Sequence, residues 1–223
     1  MPDSETSAPL SAVSCGDNIP HERVNPELDI HPLLGQRRSL RAFSPRPVEP
    51  QTLRALLEAA RRAPSSMNQQ PWNFIVAAKQ NRTEFYRLLG CLLDFNVVWA
   101  QHAPVLLLSI AKLIFTANGE PNRHSFYDVG HAMASLTFQA NACGLTVCQM
   151  AGFDASKARE TFAIPENHEP VTVAAIGYPG DPSSLPDKLQ QKQAARQVRR
   201  PLEEFVFQGS WGQPAGWARD QSA

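Results

Sequence analysis

The run Pro104-Val105-Leu106-Leu107-Leu108-Ser109-Ile110 limits what this chain can become more than any other segment. Side chains alternate between the two faces of a strand, and here nearly every position is apolar. A strand of that kind exposes nothing to water, so it belongs inside a sheet. The surrounding stretch Ala103 to Ala111 is far too short for a membrane helix, which takes about 20 apolar residues, and no other segment approaches one.

The rest of the chain supplies partners and covers for that strand. Asp29 is a plausible N-cap for a helix through Leu33, Leu34 and Arg37. The segment Ser44-Pro45-Arg46-Pro47 must be extended, because its prolines forbid helix. After Pro50, the recurrence of Leu53, Leu56, Leu57 and Ala60 predicts an amphipathic helix that ends at Pro64-Ser65-Ser66. Asn73 to Ala78 reads as a strand, Asn81 to Leu89 and Leu92 to Gln101 as helices. Ser125 to Cys143 is a long helix rich in small residues, terminated by Gly144 and suited to close packing at the centre or at an interface. Leu145 to Met150 and Val171 to Ile176 supply two more strands around an Ala155 to Phe162 helix. Helix outweighs strand, so the expected fold class is α+β, a mixed sheet covered by helices.

At 223 residues the chain suits one ordinary domain, with 43% hydrophobic and 19% charged residues. Lys+Arg and Asp+Glu number 21 each, so nucleic acid is not an expected partner. Neutrality also leaves self-association unopposed. Cys15, Cys91, Cys143 and Cys148 form neither a CxxC pair nor a zinc spacing, as expected of isolated thiols in a reducing, cytoplasmic setting. Residues 1–25 read as a polar, flexible arm without the apolar run of a signal peptide, 26–212 as the domain, and 213–223 as a tail. No GxGxxG follows a strand and no GxxxxGK[ST] occurs, so any nucleotide must be held without a Gly-rich loop.

Two segments could carry chemistry. Arg37-Arg38-Ser39-Leu40-Arg41 places three guanidiniums and a hydroxyl within five residues, a good oxyanion site because Arg matches phosphate oxygens bidentately. Alone, it could equally be a solvated basic turn. Pro64-Ser65-Ser66-Met67-Asn68-Gln69-Gln70-Pro71 puts hydroxyls and amides in a proline-bounded turn, able to face a flat polar heterocycle or simply to bond itself.

Taken together these segments resemble the nitroreductase-like flavoprotein family. That family reads R-R-S-x-R-x-F and then L-x-x-L-L-E-A-A-R-x-A-P-S-S-x-N-x-Q-P-W, matched here by Arg37 to Phe43 and Leu53 to Trp72. The likeness continues through Asp128-x-Gly130-x-Ala132, Gly144-Leu145 and Ala151-Gly152-Phe153-Asp154. It ends in Ile176-Gly177-Tyr178-Pro179-Gly180 and Arg199-Arg200-Pro201-Leu202-Glu203-Glu204. Seven motifs in order are far more specific than any one of them.

The resemblance implies a mixed, mostly antiparallel sheet flanked by helices in a domain-entwined homodimer with FMN at the subunit interface. By carry-over, Arg37, Arg38, Ser39 and Arg41 contact the flavin's phosphate and pyrimidine edge, and Arg199 or Arg200 closes on the phosphate. Pro64, Ser65, Ser66 and Asn68 reach the partner's flavin. Gln149, Met150, Ala151 and Gly152 line the ring, with an N–H near Ala151 aimed at N5 and Gly152 admitting the ring's close approach. NAD(P)H and a small nitro or quinone acceptor take turns over one flavin face, a ping-pong cycle that requires no catalytic side chain. The alternatives are a specialised dehydrogenase or dehalogenase of the same fold, and a flavin-binding sensor or partner subunit without turnover. Lys112 to His124 could cover the flavin or be a plain surface loop. His131 reads as a packed histidine, Trp211 as a residue packing on a neighbour, and Trp99 stands where some relatives have Lys.

Overall fold

A computed structural model describes residues 30–195 and 197–218. The expected N-terminal arm, the Asp29 cap and Cys15 lie outside the described residues. Four strands form one sheet: β1 (Trp72–Ala78), β2 (Val105–Lys112), β3 (Thr146–Met150) and β4 (His168–Gly177). Their order is β1-β2-β4-β3 and every pairing is antiparallel. With seven α-helices among the described residues, the architecture is α+β, as expected.

β2 behaves as its sequence demands. Leu106, Leu108 and Ile110 enter one core, while Val105, Leu107 and Ala111 enter another on the opposite face. The first core is closed by α3 (Arg82–Leu89), α4 (Asp94–Ala100) and α6 (Ala155–Thr161), which bring Phe85, Leu88, Trp99 and Ala158. The second is closed by α2 (Pro50–Arg61) and α5 (Ser125–Ala142), which bring Leu56, Ala60, Val129 and Leu136. Ser109, the strand's one buried polar side chain, lies at a register shift and donates to the Thr172 carbonyl at 3.2 Å. That bond removes the desolvation cost an orphaned hydroxyl would carry.

The helix ends follow local chemistry. Asn81 caps α3 by accepting from Glu84 N, and Asp154 caps α6 by accepting from Lys157 N at 2.9 Å. Gly144, at φ +72°, lets the chain leave α5 and turn into β3. Two boundaries move inward. α1 (Pro32–Gly35) stops before Arg37, with His31 as its cap, and α4 starts at Asp94 because Leu92 is taken by a bridge to Phe153. One helix was not expected from sequence: α7 (Asp187–Ala194). Residues 213–218 fold back on the domain, with a Phe207–Pro214 bridge and Ala215 fully buried. No helix among the described residues is long and apolar enough to cross a membrane.

Candidate functional site

The arginine segment runs as an extended ribbon pinned from three sides. Gly180 N donates to Ala42 O and Ser44 N to Tyr178 O, each at 2.9 Å. Gly180 sits so close that a Cβ there would lie 2.4 Å from the Phe43 carbonyl carbon, which explains the glycine of the Gly177-Tyr178-Pro179-Gly180 run. On β3, the Thr146 hydroxyl accepts from Leu40 N at 3.3 Å and donates to Arg38 O at 3.2 Å. From α7, Gln193 Oε1 accepts from Arg41 N at 2.7 Å and Ala42 N at 3.2 Å.

This ribbon forms one wall of a cleft of about 290 Å³, together with α5 and β3. Arg37, Ser39, Thr137, Phe138 and Gln149 line it. Arg37 Nη1 donates to Ser39 Oγ at 3.3 Å, so cation and hydroxyl act together. Strand alternation divides the expected flavin wall: Val147 and Gln149 face the cleft, whereas Cys148 and Met150 belong to the core beneath α3 and α4. Met150 can therefore contribute only backbone. Arg41 lies over Trp99, 5.7 Å from the ring centroid, and Trp99 stacks on Phe43. Burial pushes the Cys148 thiol up, with Arg41 and Arg37 pulling the other way.

The structure gives several predicted residues other partners. Arg38 turns its guanidinium to the Gln193 carbonyl. Arg199 bonds Gln197 at 3.1 Å, Arg200 lies beside Glu204 and Phe205, and neither is among the described residues that line the cleft. Gly152 meets Phe95 and Asn96: an added Cβ would stand 2.5 Å from Phe95 Cζ, and Asn96 Nδ2 donates to Gly152 O at 2.9 Å. Its lack of a side chain thus already serves the approach of α4. Ala151 is exposed at the end of β3.

The Pro64 to Asn68 turn is somewhere else. Asp128, buried at 2% exposure near the start of α5, accepts from Ser66 N at 3.1 Å. Thr137 of the cleft lies nine residues further along α5, about 14 Å at 1.5 Å per residue. Met67, Asn68 and Gln70 all have positive φ, at 50°, 54° and 49°. Three left-handed non-glycine residues in one exposed turn store strain, which usually marks a functional site. Gln69 Oε1 accepts from Thr116 N at 3.1 Å and so ties the turn to the loop after β2. That loop is folded on itself by an Ile114–Pro121 bridge.

His131 on α5 is half-buried against Tyr127, with rings 4.2 Å apart, and its Nδ1 is buried without a hydrogen-bond partner. Trp211 is 91% exposed and contacts Phe207. A larger cleft of about 550 Å³, walled by Phe43, Pro45, Pro47 and Pro104, holds none of the predicted site residues. Metal-binding clusters are absent among the described residues.

A family model described as the nitroreductase family matches residues 34–178. The chain belongs to that family. A solved structure of an oxidoreductase containing FMN superposes with a TM-score of 0.81 at 31% identity, covering 88% of this chain and 99% of that one. An NADH dehydrogenase of Thermus thermophilus is 27% identical over 195 residues, 72% of this chain and 91% of its own. An iodotyrosine deiodinase of Haliscomenobacter hydrossis is 24% identical over 204 residues, 80% of this chain and 92% of its own. This chain thus resembles proteins named for different activities.

Proposed function

We propose that this chain is an FMN-dependent oxidoreductase that takes electrons from NAD(P)H and delivers them to a small organic acceptor of nitro or quinone type. The observation that carries the reading is the cleft that joins Arg37, Ser39 and Gln149 on the face of α5. Its donor set fits the group: a permanent cation with a neighbouring hydroxyl for a phosphate that carries nearly two charges, and an amide for a polar ring edge. Among the described residues no carboxylate lines the cleft, which suits a site whose redox chemistry comes from a bound cofactor.

FMN, when bound, would accept a hydride and pass electrons on. The chain's residues bind and orient. Arg37 and Ser39 hold the anionic end, the Gln149 side chain meets the ring edge, and Phe138 gives an apolar wall that excludes water. Arg41 lies over Trp99, outside the residues that line the cleft, and on the family pattern would lend positive charge toward the pyrimidine edge. Arg199 or Arg200 closes on the phosphate in the assembled homodimer.

Acid precipitation should release a yellow chromophore that chromatographs as FMN, one per subunit. Steady-state reduction of quinone and nitro acceptors by NADH and NADPH should then give parallel double-reciprocal lines, as two substrates alternating at one place require. A colourless protein, or an adenine-containing flavin, overturns the reading. Intersecting lines would remove the ping-pong cycle alone. The deiodinase relative favours a second reading, reductive dehalogenation, and a halogenated phenol in the acceptor panel tests it.

A further inference from the structure

We infer that Gln193 is a positioning residue for the flavin-phosphate site, a latch that sets the conformation of Arg37 to Ala42 before any ligand arrives. The inference rests on the FMN reading above and deepens it.

Accounting for the ribbon's backbone isolates the role. Thr146 takes care of Leu40 N and Arg38 O, and Gly180 binds Ala42 O. The amides of Arg41 and Ala42 both go to one atom, Gln193 Oε1. Ala42 is buried at 1% exposure and Gln193 at 7%, so water is poorly placed to replace that acceptor. A buried amide without a partner costs more than the bond itself contributes. A third contact runs the other way: the Arg38 guanidinium donates to the main-chain carbonyl of Gln193. That carbonyl is in the last turn of α7, where carbonyls lack helical partners and a cation is favoured.

One residue of α7 therefore receives donors from Arg38, Arg41 and Ala42, 155 to 151 positions away in sequence. The consequence is a division of labour among the arginines. Arg38 is held by α7, leaving Arg37 turned into the cleft beside Ser39. Phosphate binding gains from such fixing because the entropy of ordering the guanidiniums has been spent in folding.

The test compares wild type with Gln193→Met, which keeps length and volume but removes the one acceptor that both amides share, and with Gln193→Glu, which restores acceptor oxygens. Hydrogen exchange at the Arg41 and Ala42 amides is followed in the full chain with and without added FMN. Flavin affinity is read from the fluorescence of FMN released on dilution of the loaded protein. For Gln193→Met we expect both amides to exchange at least tenfold faster without FMN, and FMN affinity to fall at least tenfold. Gln193→Glu should return the amide protection. Thermal unfolding of each variant separates a lost latch from a lost fold. If Gln193→Met exchanges like wild type, or holds FMN within twofold of it, the latch is not a positioning device. Failure of Glu to protect the amides better than Met overturns it as well. Wild-type protein that binds no FMN defeats the functional reading itself, a result distinct from either.

Discussion

Arg37 and Arg38 are adjacent in sequence and alike in chemistry, yet one lines the cleft while the other caps α7. Sequence could mark the cluster as an oxyanion site but could not rank its members, because the carbonyl that claims Arg38 comes from 155 residues away. Arg37→Ala should weaken FMN binding by about 2–4 kcal/mol, the loss of a charge-assisted bidentate contact, with Arg37→Lys recovering part of it. Titration of flavin-stripped protein with FMN reads this directly. Arg38→Ala should cost FMN affinity less and thermal stability more. Met150 and Gly152 teach the same lesson: the motif was visible, but strand parity sends Met150 into the core, and α4 already demands a glycine at 152. At Cys148 the sign of the pH effect is fixed by burial, which raises the thiol above its ordinary 9.0. The folded state thus keeps its proton longer than the unfolded state. The associated stability is complete below the unfolded pKa and is lost as pH rises toward and through the folded one. Iodoacetamide at pH 8 should therefore modify Cys148 only after denaturation, as read by peptide mass mapping.

Elements with strong periodicity or two apolar faces were legible. β2 was readable because both of its faces are core, and α2 because Leu56 and Ala60 repeat at helical spacing. α7 was not, because Asp187-Lys188-Leu189-Gln190-Gln191-Lys192-Gln193-Ala194 carries one large apolar residue and no stripe. Its helix depends on tertiary contacts: Leu189 packs on the core and Gln193 binds the arginine ribbon. The ribbon and the end of β4 also need each other sterically. Gly180→Ala would put a Cβ 2.4 Å from Phe43 backbone, which no side-chain rotation can relieve. We expect a loss of about 1–3 kcal/mol in stability from that overpacking, together with weaker flavin binding, since the ribbon must shift. Chemical denaturation and FMN titration of the same variant check both. Gly216→Ala is the control, because a Cβ there meets nothing within 4 Å in the chain and its φ is not positive.

Over the whole molecule, the two segments that announced the family in sequence do not meet in one chain. Arg37 and Ser39 open onto the middle of α5, whereas Ser66 is bonded to Asp128 near the helix start. The first turns of α5, beside Asp128, expose Phe126, Tyr127 and Gly130. We therefore predict that each flavin site takes Arg37 from one protomer and the Ser65-Ser66-Asn68 turn from its partner across a two-fold axis. Two lesions test it. Arg37→Ala removes the phosphate anchor, and Ser66→Glu sets a carboxylate and extra bulk against the ring, so each homodimer should be nearly free of FMN. Refolding the two variants together gives mixed dimers, in which one site bears both lesions and the other bears neither. With random pairing about half of the dimers are mixed, and each has one intact site of two, so about a quarter of all sites should regain flavin and NAD(P)H oxidation. If both segments served one chain's flavin, every site would bear one lesion and mixing would restore nothing. Mixed dimers demonstrated by differential tags that stay colourless would defeat the shared site, while the cleft's affinity for FMN would still be read from the Arg37 titration.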